Sequence, residues 1–409
     1  MSESSIVRTS NTGSRASTIV SLEGLRGVAA LLVALYHLHL LDKGPLDHGY
    51  LMVDLFFVLS GFIMFLSYSD RLRKPGDLRG FLIRRTGRLV PLYLATTLGT
   101  WVVLGAVALG WNLVNRTPDL SSGIYLPDAG DVVANLTLTH FLSAAQSRVI
   151  DWPSWSIGTE FYTYLLFAAV CVMLPRRWRL AGVATLTVTA AVLFVAMRVG
   201  ADGCLASGKC LDAYRDAGFL RCAAGFFLGG LLHAAWLRLS ASARAPAIRA
   251  WLEQLQWPVV VLVLVLITLV SSRPALAFAV PLGFAALIFV LLPDAGPVAR
   301  RLAAPAVQAL GRWSYSIYLV HAMLALVVEF VIKSVPLEHP AARLVMVALY
   351  LMALLPVSRW TYRTIEVPAR DWFNRRASAL DAGKARSTSR TAGRTAGQAA
   401  VTSGVAVNR

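Results

Sequence analysis

Charge is what this chain has least of. Charged residues fill 15% of its 409 positions, where soluble proteins carry about a quarter. Acidic residues are the scarcer sign, 22 Asp and Glu against 39 Lys and Arg. With 56% hydrophobic residues and a mean hydropathy of +0.61, an ordinary soluble domain is excluded. A formal charge of +17 would raise nucleic acid as a partner. No basic face with interleaved aromatics occurs outside short loops, so nucleic acid is not expected. No internal repeat is visible, which counts against inverted-repeat transporters. The histidines show no ligand spacing such as HExxH, so no metal site is expected. No cleavable signal is expected either, because the polar, Ser/Thr-rich first residues lead into an apolar run of spanning length.

What is present is a series of apolar runs of roughly 17–25 residues, the length that crosses ~30 Å of hydrocarbon as helix. About ten fall near 22–41, 50–68, 89–109, 156–174, 180–199, 219–236, 257–270, 275–292, 315–335 and 342–360. The seventh and eighth are separated only by Ser271, Ser272, Arg273 and Pro274, and read as two spans or as a re-entrant pair. The expected fold is all-α: a polytopic transmembrane helical bundle over 19–373, flanked by a disordered segment over 1–18 and a disordered basic tail over 374–409. No soluble catalytic domain fits either tail, so any chemistry must sit within the bundle.

Basic residues gather in alternate connections, as they do in cytoplasmic loops. Arg71, Arg73, Lys74, Arg79, Arg84, Arg85 and Arg88 follow the second span, PRRWR the fourth, Arg238, Arg244 and Arg249 the sixth, and Arg300, Arg301 and Arg312 the eighth. The 112–155 connection instead sets Asp119, Asp128, Asp131 and Asp151 against Arg116 and Arg148. Both termini are therefore expected in the cytoplasm. Of the four cysteines, Cys171, Cys204, Cys210 and Cys222, the middle two share an outer loop. A disulfide fits there in an oxidising compartment, and so do two unrelated thiols.

Ionisable groups inside such spans are costly and mark sites more often than ordinary positions do. LEGLRGVAALLVALYHLHLL carries Arg26 and, eleven residues on, His37. At ~100° per residue the two return to within about 20° of one face, about 16 Å apart along the axis. Arg26 suits a phosphate or carboxylate, unless Glu23, three residues earlier, pairs with it. His37 can take a proton near pH 7, unless it is a satisfied interior histidine. His39 falls on the far side and reads as interfacial. Asp54, near the outer end of the second span, orients an imidazole, binds a sugar hydroxyl or faces water. Ser60-Gly61 suits close helix contact. Arg84, Arg85 and Arg88 anchor the third span or form a phosphate-binding cluster. Trp152 and Trp155 look like interfacial anchors, whereas Glu160 lies inside an apolar run. Ser314, Ser316, Tyr318 and His321 enter the ninth span. The arginines and Ser314 lie inward; His37, Asp54 and Glu160 lie outward. That polarity suits an enzyme with a phosphate-bearing donor on one side and an acceptor on the other. It equally suits a proton-coupled transporter or polysaccharide exporter relaying protons through His37 and Glu160.

LRGVAALLVALYHLHL resembles the Arg-x10-His signature of the membrane-bound acyltransferase-3 family. VDLFFVLSGFIM, RRTGRLVPLY, WSIGTEFYTYLL, SYSIYLVHAML and RTIEVPARDW are similar to further family motifs and follow in the family's order, from Leu22 to about Trp372. Ile157 stands where Leu is usual. The resemblance implies an integral membrane enzyme moving acyl groups, often acetyl, from acyl-CoA to hydroxyls of carbohydrates and related acceptors. It implies no permanently bound cofactor, with acyl-CoA as the donor substrate. By resemblance His37 is the catalytic histidine and Arg26 its partner at the donor, with Asp54 or Glu160 orienting the imidazole or the acceptor. Arg85 and Arg88 would hold the CoA, and Ser314, Tyr318 and His321 would line the interior site with Glu160. Glu366, in IEVP, is expected to be structural.

Overall fold

A computed structural model describes residues 19–40, 45–115, 125–142, 151–201, 203–214, 216–334 and 339–382, with no strand among them. The helices are α1 (Val20–Tyr36), α2 (Met52–Tyr68), α3 (Pro75–Val114), α4 (Ala129–Leu136), α5 (Trp155–Met173), α6 (Arg176–Ala196) and α7 (Cys204–Ser207). There follow α8 (Asp216–Ser240), α9 (Ala245–Gln254), α10 (Gln256–Leu269), α11 (Val280–Leu291), α12 (Pro297–Leu302), α13 (Pro305–Ser334) and α14 (Pro340–Thr361). Eight helical stretches among the described residues are long and apolar enough to cross a membrane, or nine if α9 and α10, bent by 51°, count as one span. The expected seventh span is thus one limb of a bent pair, and the eighth, Pro274–Leu291, stands by itself. The first expected span is helical over only 17 residues, roughly 26 Å at 1.5 Å per residue.

Helix α1 starts where Asp294 accepts from the backbone N–H groups of Val20 (3.0 Å) and Ser21 (2.7 Å). These are donors that a helix start otherwise leaves unpaired. It stops at His37, two residues before His39 turns left-handed at φ 52°. Its neighbour is α13, and the crossing is too close for side chains: a Cβ on Gly27 would lie 2.5 Å from the Gly311 nitrogen. The α2–α8 crossing works the same way, since a Cβ on Gly61 would lie 1.8 Å from the Phe226 carbonyl oxygen. Close backbone approach of this kind supplies the packing that apolar burial alone cannot drive inside lipid. Gly61 thus has the contact role expected of it.

Two features sharpen the sequence expectations. Cys204 and Cys210 form a disulfide, and the loop they close leads to Asp212 and Tyr214. After α14 the chain passes through a π-helical turn, Tyr362–Glu366, and stays helical to Ala382. The tail expected from 374 therefore begins as helix. The rest of it, and the expected 1–18 segment, lie outside the described residues.

Candidate active site

Helix α1 contributes to two internal cavities, one near each of its ends. The larger, ≈ 680 Å³, is lined by Arg26, Arg85, Arg88, Glu160, Ser314 and Tyr318 among others. The smaller, ≈ 400 Å³, contains His37 with Tyr36, Tyr50, Trp152, Trp155, Tyr214 and Arg221. Among the described residues, only Val53 and Tyr318 line both.

In the arginine chamber most polar groups are already engaged. Arg88 pairs with Glu366, whose other oxygen accepts from Ser316 Oγ at 2.8 Å. The π-helical turn delivers Glu366 to this position and buries it. Arg85 donates to the Tyr68 hydroxyl at 3.1 Å, and its guanidinium lies 5.0 Å from the centre of that ring. The Glu160 carboxylate accepts from both Ser60 Oγ and the Tyr164 hydroxyl. Several groups break the pattern: besides Arg26 and Ser314, Arg85 Nε is buried without a partner, and the Glu23 and Arg312 side chains form no hydrogen bond or ion pair among the described residues. Arg26 lines the chamber without a hydrogen bond or ion pair among the described residues, Glu23 included. Ser314 Oγ is buried without a partner. A guanidinium and a hydroxyl left unpaired, at the expense of unmet hydrogen bonding, suit an anionic or carbonyl-bearing ligand.

The histidine chamber is built from rings. His37 caps α1 and lies edge-on to Trp152, ring centres 4.1 Å apart, with the His321 ring 5.1 Å from His37 and 5.5 Å from Trp152. The hydrogen bonds assign the protons. His321 Nδ1 lies 2.5 Å from the Tyr318 carbonyl oxygen, an acceptor, so it carries the hydrogen. His37 Nδ1 lies 2.9 Å from the Val33 carbonyl oxygen and donates likewise. The same Nδ1 is 3.2 Å from His321 Nε2, which is then the acceptor. His37 Nε2 keeps its lone pair free. Just before Trp152, Asp151 is fully buried with neither carboxylate oxygen partnered. Burial raises its carboxyl to about 7.

The structure redistributes the expected site residues. Arg26, Arg85, Arg88, Ser314 and Tyr318 gather as expected, but Glu160 joins them in the arginine chamber rather than His37. Asp54, expected to orient an imidazole, is taken up by Arg221, which donates to its two oxygens at 2.9 and 2.6 Å. His321, expected to line the interior site with Glu160, stands beside His37 instead. Trp152, expected as an interfacial anchor, packs on the candidate base. Arg221 was missed, although an arginine near the start of an apolar span is the same signal that singled out Arg26. Ser60 and Tyr164 carried no such signal, since hydroxyls are ordinary in membrane helices.

A model of the acyltransferase domain family matches residues 19–363. Over 185 residues the chain is 29% identical to the membrane-bound transacylase BcsY of Komagataeibacter xylinus, covering 44% of each protein. It is 32% identical over 158 residues to protein 2 of the picA locus of Rhizobium radiobacter, covering 36% of this chain and 80% of that one. It is 31% identical over 132 residues to the exopolysaccharide production protein ExoZ of Rhizobium meliloti, covering 31% of this chain and 36% of that one. The chain thus matches less than half the length of BcsY and of ExoZ. No solved structure matches.

Proposed function

Because this chain belongs to the acyltransferase-3 family of membrane proteins, we propose that it is an integral membrane O-acyltransferase that moves an acyl group, acetyl in the first instance, from acyl-CoA to a hydroxyl of a cell-surface or exported carbohydrate. The observation that carries this reading is the meeting of two unlike chambers at one tyrosine, with a free guanidinium on one side and a free imidazole lone pair on the other. Lys and Arg crowd the connections at the Arg26 end, the ground for taking that chamber as cytoplasmic in an inner or plasma membrane. Arg26 and Arg85 then meet the donor's anionic groups, and Ser314 offers its hydroxyl to the thioester end. Arg88, already neutralised by Glu366, shapes the wall.

In the reaction, the acceptor oxygen attacks the thioester carbonyl while His37 Nε2 takes the hydroxyl proton. General base catalysis of this kind is worth about 10²–10⁴-fold. The carbon–sulfur bond then breaks, and the leaving CoA thiolate recovers the proton from His37. His321 Nε2, accepting from His37 Nδ1, keeps the base in the correct tautomer and steadies the imidazolium. The aromatic walls beside His37 suit the apolar face of a sugar ring, and the relative ExoZ is named for exopolysaccharide production.

Purified protein in lipid, supplied with labelled acetyl-CoA and candidate glycans, should release free CoA thiol and form one ester. Mass spectrometry of surface glycans from deletion and complemented strains should show the loss and return of one ester of defined mass. Flux driven by a pH gradient without any acyl turnover would overturn the proposal in favour of transport.

A further inference from the structure

We propose that Tyr318 is the partition between the two chambers, and that its side chain must swing aside for an acyl group to reach His37. What passes the partition rests on the acyl-transfer reading; the partition itself does not. Tyr318 and Val53 are the only lining residues the cavities share among the described residues, so the ring stands where a continuous passage would run. It is buried, with 6% of its surface exposed. Its hydroxyl is latched at the far end: it donates to the Pro153 carbonyl oxygen at 3.1 Å and lies 2.8 Å from Ser156 Oγ. Pro153 belongs to the single turn Trp152–Ser154 that leads into α5, so the latch ties α13 to α5. Phe56 closes the side of the ring edge-on, with ring centres 5.8 Å apart.

The arrangement separates two duties of one residue. The Tyr318 carbonyl holds His321, and through it His37, while the Tyr318 ring closes the passage. A change of rotamer opens the route without disturbing the backbone that orders the histidines. A permanently open route would let water reach the thioester before an acceptor arrives, which closing an active site prevents.

Cysteine accessibility tests the partition directly. Ile63 lines the arginine chamber, so Ile63→Cys places a thiol there. Native thiols give little background, because Cys171 and Cys222 are buried and Cys204 and Cys210 are joined. In sealed vesicles, a charged membrane-impermeant maleimide should label Ile63→Cys only from the Arg26 face. With Tyr318→Ala added, labelling from the His37 face should rise from background to match it. Tyr318→Phe keeps the ring and loses the latch, and Val53→Ala trims the other shared wall. Both retain the core should Tyr318→Ala not fold, and both should raise His37-face labelling to an intermediate level. Labelling from both faces in the parent, or from the Arg26 face alone in all three variants, would overturn the partition. Hydrolysis of acetyl-CoA without acceptor should rise in the same order as labelling. If labelling changes and no variant or parent turns over acetyl-CoA, the partition stands and the acyl-transfer reading falls.

Discussion

On the Arg26 side of Tyr318, formal charges are numerous and several are engaged by neighbours: Arg88 by Glu366, Glu160 by two hydroxyls, Arg85 in part by a tyrosine. On the His37 side, rings dominate, and the buried ion pair among the described residues there, Arg221 with Asp54, sits in the wall. The first chamber is pre-arranged to receive charge, with Arg26 among the groups left over. The second is arranged to keep one nitrogen unprotonated. The difference teaches that a count of intramembrane charges does not identify the reactive groups. What marks Arg26, Ser314 and His37 Nε2 is that each is left over after its neighbours have paired.

Replacements can break this comparison. The largest effect is expected at the leftover base: His37→Ala should lower acyl transfer by about 10²–10⁴-fold while the folded yield stays unchanged. Ester formation per folded protein measures it, and undiminished transfer removes His37 from the chemistry. Next comes the committed pair. Asp54→Asn leaves Arg221 buried and unpaired, costing about 3–5 kcal/mol, seen as lost folded protein in detergent. Combining Asp54→Leu with Arg221→Met should recover most of that stability. A stable but inactive Asp54→Asn would instead return Asp54 to the chemistry.

Arg26→Ala should raise the KM for acetyl-CoA by roughly ten- to a hundredfold, the loss of about 1.5–3 kcal/mol for a charge-assisted hydrogen bond. Arg26→Lys should restore part of it, since it keeps the charge without the planar fork. An unaltered KM would make Arg26 structural. The smallest effect is one of pH. Asp151 holds its proton up to about 7 when folded and only to about 3.9 when unfolded. The folded state therefore binds the extra proton between these values, and stability falls as pH rises through that window. Thermal unfolding at pH 5 and pH 8 should show the slope in the parent and a flatter one in Asp151→Asn. An equal slope in both would assign it to other groups.

Most of the fold was legible in advance because hydropathy and charge bias are local properties. Stretches of α2, α3, α5, α6, α8, α11, α13 and α14 announce themselves by apolar length. The expectation failed where length was marginal, as in α1, which ends after 17 residues, and at the bend between α9 and α10. The helix beyond 373 was hidden because its composition is polar.

By itself, the sequence determined that this is an all-helical chain with apolar segments of spanning length, and that Arg26 and His37 share one stripe of the first. Fixed helical geometry is enough for that. Only the tertiary structure decided which charges were spent and which remained. Asp54 meets its arginine 167 residues away, Arg88 its glutamate at 278, and His37 its histidine at 284. The choice among partners so distant depends on which helices cross at their glycines. No pattern within a single segment carries that information.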